Sequence, residues 1–249
     1  MLRASILASA VLLAASPAAM AGTFTVTVAV VNDTGKPVEK ADVGLFWELK
    51  NGAMTPMAYA DGVAAVTDAA GKGVLRIEER ADKQPVLVLS ADRRSGAWAG
   101  VSKADADKTV TVTLGPTVRL KAELACRELN TKPKVSITYV TPGDFKARGI
   151  QQITRDGQEP RYDFTLPAGK YAIWSYGTDV LDDKRTVELA AGRSEHDLGV
   201  IDLKPSAVAR LKGKVPPAWT IADARGVKKD VTLSDYKGKW VYLEFWGHW

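Results

Sequence analysis

Apolar and polar residues alternate with a period of two through most of the stretch from residue 23 to residue 204. Successive side chains of a β-strand point to opposite faces, so this period is that of a strand with one buried face. A helix would instead repeat its apolar positions every three or four residues. The pattern predicts a mainly β chain, with strands near residues 24–30, 110–114, 118–124, 135–140, 162–166, 171–176, 186–189 and 198–203.

Turn-forming sequences separate these apolar runs. The segments NDTGKP (32–37) and DAAGKG (68–73) predict hairpin connections between neighbouring strands. Several short strands with frequent turns are typical of a β-sandwich. The rhythm occurs twice, and the triplet Ala-Gly-Lys stands at 70–72 and again at 168–170. We therefore predict two tandem β-sandwich domains, at residues 22–116 and 117–204.

The first 21 residues have the order of a secretory signal peptide. A basic start with Arg3 is followed by an apolar stretch from Ile6 to Ala15, and Ala19-Met20-Ala21 has the small residues of a cleavage site. The apolar stretch is shorter than the ~20 residues that a spanning helix needs. We therefore expect an exported product, periplasmic or at the cell surface, with no transmembrane segment in the mature chain.

The charges favour no nucleic-acid partner. The net charge is +5, and 34 basic residues are interleaved with 29 acidic ones. A nucleic-acid-binding surface needs basic residues clustered on one face. The sequence has no such cluster, so we expect a surface of mixed charge that binds no nucleic acid.

The one cysteine, Cys126, cannot form a disulfide within the chain. It falls in phase with the apolar positions of the run 118–124, so its side chain is predicted to point into the core. A buried thiol in apolar surroundings keeps a raised pKa and is inert. We therefore expect Cys126 to be a packing residue.

The pattern changes after residue 204. Residues 205–213 are predicted to be a linker, and the near-continuous apolar run 240–245 predicts a strand covered on both faces. The tripeptide Glu195-His196-Asp197 is predicted to be a turn, and it offers too few ligands for a metal site. We predict no metal site and no cofactor.

Two resemblances to known families follow from quoted segments. VNDTGKPVEKADVGLF (31–46) with TDAAGKGVLRI (67–77) resembles a carboxypeptidase regulatory-like domain, a transthyretin-type or Ig-like β-sandwich, and FTLPAGKYAIWS (164–175) is similar to a diverged member of that group. GKVPPAW (213–219), LSDYKGK (233–239) and FWGHW (245–249) resemble the start of an exported redoxin. This second resemblance implies that residues 214–249 begin a thioredoxin-like α/β domain and are incomplete.

The redoxin resemblance implies a thiol-disulfide oxidoreductase with a Cys-x-x-Cys pair directly after Trp249. Phe245, Trp246 and Trp249 would then flank the expected site, and no catalytic residue lies in the chain itself. The chain is expected to be an inactive N-terminal fragment of an antioxidant-type enzyme. Its implied partners are disulfide-bearing exported proteins and a thiol electron donor.

Two other functions stay open. One is a non-catalytic exported β-sandwich protein that acts as a binding module or spacer. The other is a protein that binds carbohydrate or a surface polymer through exposed aromatic side chains. The aromatic residues considered for this role are Trp47, Trp98, Trp174 and Tyr176, although the alternation places several of them towards the cores.

Overall fold

The computed structural model describes residues 22–50, 52–57, 64–129, 133–155, 158–215, 218, 223 and 225–242. These residues form strands and a few short helices, which confirms the prediction of a mainly β chain. The strands are β1 (Thr23–Val31), β2 (Asp42–Gly44), β3 (Trp47–Lys50), β4 (Ala53–Pro56), β5 (Ala64–Val66), β6 (Lys72–Glu78), β7 (Gln84–Leu89), β8 (Ser95–Val101), β9 (Thr109–Thr113), β10 (Gly115–Ala125), β11 (Ile137–Pro142), β12 (Ile150–Ile153), β13 (Arg161–Pro167), β14 (Gly169–Tyr176), β15 (Asp183–Leu189) and β16 (Glu195–Asp202).

The helices are short. The α-helix α1 covers Ala207–Leu211, and 3₁₀ turns cover Lys103–Asp105, Arg127–Leu129 and Leu233–Tyr236. The Ser206 hydroxyl caps α1 by accepting a hydrogen bond from the Ala209 N–H at 3.1 Å. The predicted linker at 205–213 therefore contains a capped helical turn.

The strands form three sheets. A three-stranded sheet has the order β6-β1-β9, and a six-stranded sheet has the order β15-β14-β11-β12-β3-β4. A seven-stranded sheet has the order β13-β10-β8-β7-β2-β5, and β16 also pairs with β10. Two apolar cores result. One core is shared by the three-stranded and seven-stranded sheets, and the other is shared by the seven-stranded and six-stranded sheets.

Strand β7 is buried on both of its faces. Val86 and Val88 belong to the core beneath the three-stranded sheet, and Leu87 and Leu89 belong to the core beneath the six-stranded sheet. Its apolar run is continuous because neither face meets water, which is the pattern of a doubly covered strand. The seven-stranded sheet therefore lies between the other two sheets.

The hairpin of β3 and β4 joins the first half of the chain to the sheet of the second half. β3 pairs in parallel with β12, so that Trp47 lies opposite Ile150. Trp47 is fully buried in the core beneath the six-stranded sheet.

The predicted domain boundary between residues 116 and 117 falls within the strand β10. The division of the chain into domains at that point stays a prediction.

The two predicted turns are present but do not connect hairpins. The Asn32 side-chain oxygen accepts hydrogen bonds from the N–H groups of Thr34 and Lys36, and Asp68 holds the second turn in the same way. Each turn links strands of different sheets, because β1 and β6 lie in the three-stranded sheet and β2 and β5 in the seven-stranded one. The hairpin prediction is therefore wrong, since local turn chemistry does not specify which sheet the next strand enters.

Glycine is required in the second of these turns. Gly71 has a φ of +72°, and a Cβ at this position would lie 2.6 Å from the carbonyl oxygen of Val30. A side chain is excluded both by the left-handed backbone and by this close approach. The turn therefore depends on glycine to bring the backbone against β1.

The structure confirms the predicted burial of Cys126 and corrects the predicted strand at 240–245. Cys126 is 1% exposed and belongs to the core beneath the six-stranded sheet. Trp240, Val241 and Tyr242 are outside any strand and exposed, and residues 243–245 lie outside the described residues. The apolar run that has both faces covered is β7, within the body of the fold.

No helix in the described ranges is long and apolar enough to cross a membrane.

Packing between the seven-stranded and six-stranded sheets makes Gly149 sensitive to substitution. A Cβ on Gly149 would lie 2.4 Å and 2.7 Å from two ring carbons of Trp98. That indole is held by its hydrogen bond to the Tyr171 hydroxyl at 3.1 Å. We predict that Gly149→Ala lowers the free energy of unfolding by about 1–3 kcal/mol, the usual cost of overpacking. Urea denaturation measures this loss.

Gly115→Ala is the matched control for this substitution. Gly115 is the first residue of β10, and no atom lies within 4 Å of a Cβ placed on it. We expect this variant to differ from the unsubstituted protein by less than about 0.5 kcal/mol. Equal stabilities of the two variants would show that Trp98 does not press against Gly149.

Candidate functional site

Three aromatic side chains meet on the outer face of the six-stranded sheet. Tyr139 on β11 lies opposite Trp174 on β14, and Tyr176 lies two residues beyond Trp174. Their ring centroids are 5.9 Å apart for Tyr139 and Trp174, and 5.1 Å apart for Trp174 and Tyr176. All three are half-buried, whereas their neighbours Val140, Ile173 and Ser175 point into the core. We call Tyr139, Trp174 and Tyr176 the aromatic cluster.

Two cations cover the aromatic cluster. The Arg148 guanidinium carbon lies 4.0 Å from the centroid of the Tyr139 ring and 4.7 Å from that of Trp174. The Lys184 ammonium lies 5.3 Å from the Trp174 ring. Cations at these distances are attracted to the negative faces of the rings. The rings therefore hold the Arg148 side chain against the sheet surface.

Polar atoms of the aromatic cluster are hydrogen-bonded. The Trp174 indole N–H donates to the Asp182 carboxylate at 3.0 Å. Desolvation raises the pKa of the Tyr176 hydroxyl above its usual value, and a hydrogen bond with Tyr139 raises it further. The Tyr176 phenol therefore holds its proton more firmly than a free tyrosine does and can donate it in a hydrogen bond.

Two concave surfaces border the aromatic cluster. A groove of about 790 Å³ opens between the two halves of the chain and is lined by Phe46, Gln84, Tyr139, Arg148 and Gln151, among others. A depression of about 270 Å³ lies over the sheet and is lined by Tyr139, Trp174, Arg148 and Lys184. The groove and the depression share Tyr139 and Arg148, so they are continuous along the surface.

The groove is positively charged. Its lining holds four cationic side chains and one carboxylate, namely those of Arg76, Arg80, Lys146, Arg148 and Glu78. Arg80 pairs with Glu78 at 3.5 Å, and Lys146 pairs with Asp82 at 3.3 Å. These are exposed pairs, which contribute little to stability and compete poorly with a ligand. The groove therefore presents a net positive surface to solvent.

The four aromatic residues considered from the sequence have different positions. Trp47 is fully buried, and Trp98 is half-buried with its N–H on the Tyr171 hydroxyl. Trp174 and Tyr176 are in the aromatic cluster. The sequence reasoning missed Tyr139 and Arg148. Tyr139 occupies an outward position in its alternating strand, which is the available signal, but only the pairing register places it beside Trp174.

The remaining predicted residues form no described site. Phe245, Trp246 and Trp249 lie outside the described residues. Residues 195–197 open the strand β16 instead of forming a turn, because they pair with residues 119–121 of β10. Within the described ranges, no group of three or more metal-binding side chains is present.

Comparison with known proteins gives only distant structural likenesses. No family model matches the chain, and no curated protein matches it. The Bacillus anthracis TIE protein is 11% identical with a TM-score of 0.32, over 74% of this chain and 34% of the other. GBS52, a minor pilin of Streptococcus agalactiae, is 12% identical with a TM-score of 0.32, over 77% of this chain and 99% of the other. BcpA, the major pilin subunit of Bacillus cereus, is 10% identical with a TM-score of 0.29, over 74% and 70%.

The chain thus spans about a third of the TIE protein. At these identities and TM-scores, none of the three likenesses carries an argument about function.

The predicted membership in the redoxin and carboxypeptidase regulatory-like families is wrong. No family model matches, and the similar solved structures include pilins. The described part of residues 214–242 contains one 3₁₀ turn, Leu233–Tyr236, and no strand of a thioredoxin-like sheet. The interpretations as an oxidoreductase or antioxidant fragment, with thiol partners, are withdrawn with the resemblance.

The stacking of Arg148 on the aromatic cluster can be measured. We predict that Arg148→Met lowers the free energy of unfolding by about 0.5–1 kcal/mol, the contribution of a cation–π contact at an exposed site. Methionine keeps an apolar stem over the rings, so the loss reports the guanidinium. Chemical denaturation provides the measurement.

Arg193→Met is the control, because Arg193 is an exposed arginine just before β16. We expect this control to leave stability unchanged within about 0.5 kcal/mol. If Arg148→Met were as neutral as Arg193→Met, the guanidinium would not be held on the rings.

Proposed function

We propose that the protein is a non-catalytic, exported β-sandwich binding protein that holds a glycan chain on its surface. The observation that carries this proposal is the joining of the groove and the depression at Tyr139, within a cluster of half-exposed aromatic rings. Aromatic rings of this kind have an apolar body and a polar edge. They suit the apolar faces and the hydroxyl groups of sugar rings.

Hydrogen-bonding groups around the aromatic cluster support a sugar ligand. Gln151 lies opposite Tyr139 across the sheet, and Glu48 lies opposite Gln151 on the next strand. All three residues belong to the same outer row, since paired residues share a face of the sheet. Amide, carboxylate and phenol groups in one row provide both donors and acceptors for sugar hydroxyls.

The shape of the surface supports an extended ligand. The groove and the depression together run from the junction of the two halves across the outer face of the six-stranded sheet. Rigid strands position the lining side chains, since Tyr139, Trp174 and Gln151 all lie within β11, β14 and β12. A polymer that crosses the sheet would contact both concave surfaces at once.

Export to the cell surface is part of this proposal. Its support is the signal-peptide sequence at residues 1–21, which lies outside the described residues. Nothing supports a periplasmic location in particular. Glycans are among the ligands that an exported protein meets at a cell surface.

Affinity electrophoresis tests the proposal. The full-length protein is run in native gels cast with pectate, with dextran or with galactan, and with no polymer. We predict that at least one polysaccharide slows its migration, and that Trp174→Ala reduces this effect at least several-fold because the central ring of the aromatic cluster is lost.

Tyr236→Ala serves as the control, since Tyr236 is a half-buried aromatic residue in the C-terminal 3₁₀ turn. It should migrate as the unsubstituted protein does. Unchanged migration in all three polymers would contradict glycan binding and would favour the spacer interpretation of the same architecture.

A further inference from the structure

The aromatic rings hold the Arg148 side chain in place, and its positive charge forms no ion pair within the described residues. Its guanidinium is stacked on Tyr139 and Trp174, at 4.0 Å and 4.7 Å from their centroids. Stacking uses the face of the guanidinium and leaves the N–H donors in its plane available. Among the residues that the structure describes, no carboxylate forms an ion pair with Arg148. The side chain is exposed, so these donors face solvent.

A second arginine lies in the same groove. The Arg76 Nε donates to the Thr23 hydroxyl at 3.3 Å, and no ion pair to this side chain occurs in the described ranges. Arg76 is on β6 of the first half of the chain, and Arg148 is in the segment between β11 and β12 of the second half. The groove therefore holds one arginine from each half of the chain, and neither has a carboxylate partner among the described residues.

We propose that the groove binds an acidic polysaccharide and that the Arg148 guanidinium binds an anionic group of the bound sugar chain. The proposal rests on the glycan-binding function above and specifies its ligand class. Planar guanidinium groups bind carboxylate, sulfate and phosphate through two parallel hydrogen bonds. Because the rings already hold Arg148 in place, little side-chain freedom is lost when the anion binds.

The charges of the groove fit an acidic polymer better than a neutral one. Four cations and one carboxylate line it, and a neutral glycan would leave Arg76 and Arg148, which form no ion pair within the described part of the chain, without a counterion. An acidic peptide is the competing anionic partner. The aromatic cluster favours the glycan, because the outer face of the sheet offers half-exposed rings on the row that borders the groove.

Isothermal titration calorimetry with matched oligosaccharides tests the proposal on the full-length protein. The probes are an oligogalacturonate, its fully methyl-esterified form, a sulfated oligosaccharide and an oligoglutamate peptide. The ester keeps the sugar and removes the charge. We expect the oligogalacturonate or the sulfated oligosaccharide to bind, the ester to bind at least about tenfold more weakly, and added salt to weaken the binding.

Three variants assign the binding to Arg148. Arg148→Gln should weaken binding of the acidic oligosaccharide about tenfold or more, the usual effect of losing a charge-assisted hydrogen-bonded pair. Arg148→Lys should lose part of the affinity, since lysine keeps the charge without the paired donors. Arg193→Gln removes an exposed arginine elsewhere and should bind as the unsubstituted protein does.

Each outcome decides the proposal. Binding of the sulfated probe alone would assign a sulfate-type or phosphate-type anion, and binding of the uronate alone would assign a carboxylate. Equal binding of the ester would overturn the acidic ligand and leave glycan binding intact. Binding of none of the three sugars would overturn the acidic-polysaccharide proposal, whereas glycan binding as such is decided by the migration in dextran and galactan gels. Equal or tighter binding of oligoglutamate would overturn the glycan class, and unchanged binding by Arg148→Gln would overturn the role of Arg148.

Discussion

The fold depends on one strand that is buried on both faces. Val86 and Val88 of β7 complete the core beneath the three-stranded sheet, and Leu87 and Leu89 complete the core beneath the six-stranded sheet. The part of such a strand that lies between two cores must be apolar, as residues 86–89 are, because neither face meets water there. The seven-stranded sheet is held between the other two layers, so β7 couples the two cores through a single backbone.

The surface face of the six-stranded sheet follows from the same layering. One face of this sheet contributes Trp47 and Ile173 to the core that also contains Leu87 of β7. The opposite face is free to carry residues that packing does not require, and there the aromatic cluster lies under Arg148. Because the β3–β4 hairpin adds two strands from the first half, the groove at the junction of the halves reaches this face. The concave surface beside the aromatic cluster therefore results from how the layers are joined.

Periodicity in the sequence predicts the β class, most strands of the second half and the burial of Cys126. Each of these depends only on how apolar and polar residues alternate within one strand. Periodicity does not predict sheet membership. The turns at 32–37 and 68–73 look like hairpin turns, yet they cross between sheets. The apolar run 240–245 predicts a strand with both faces covered, whereas in the structure both faces are covered in β7. Tyr139 meets Trp174, and Arg148 reaches both rings, only through long-range register, which no local pattern specifies.

The claim that β7 couples both cores has a direct test in native-state amide hydrogen exchange at increasing urea concentration. Amides of β1 report the core beneath the three-stranded sheet, and amides of β14 report the core beneath the six-stranded sheet. We expect the most protected amides of β1, β7 and β14 to exchange with one common free energy and one urea dependence, since neither core survives loss of the other. Two separate free energies, with β7 following only one core, would contradict it.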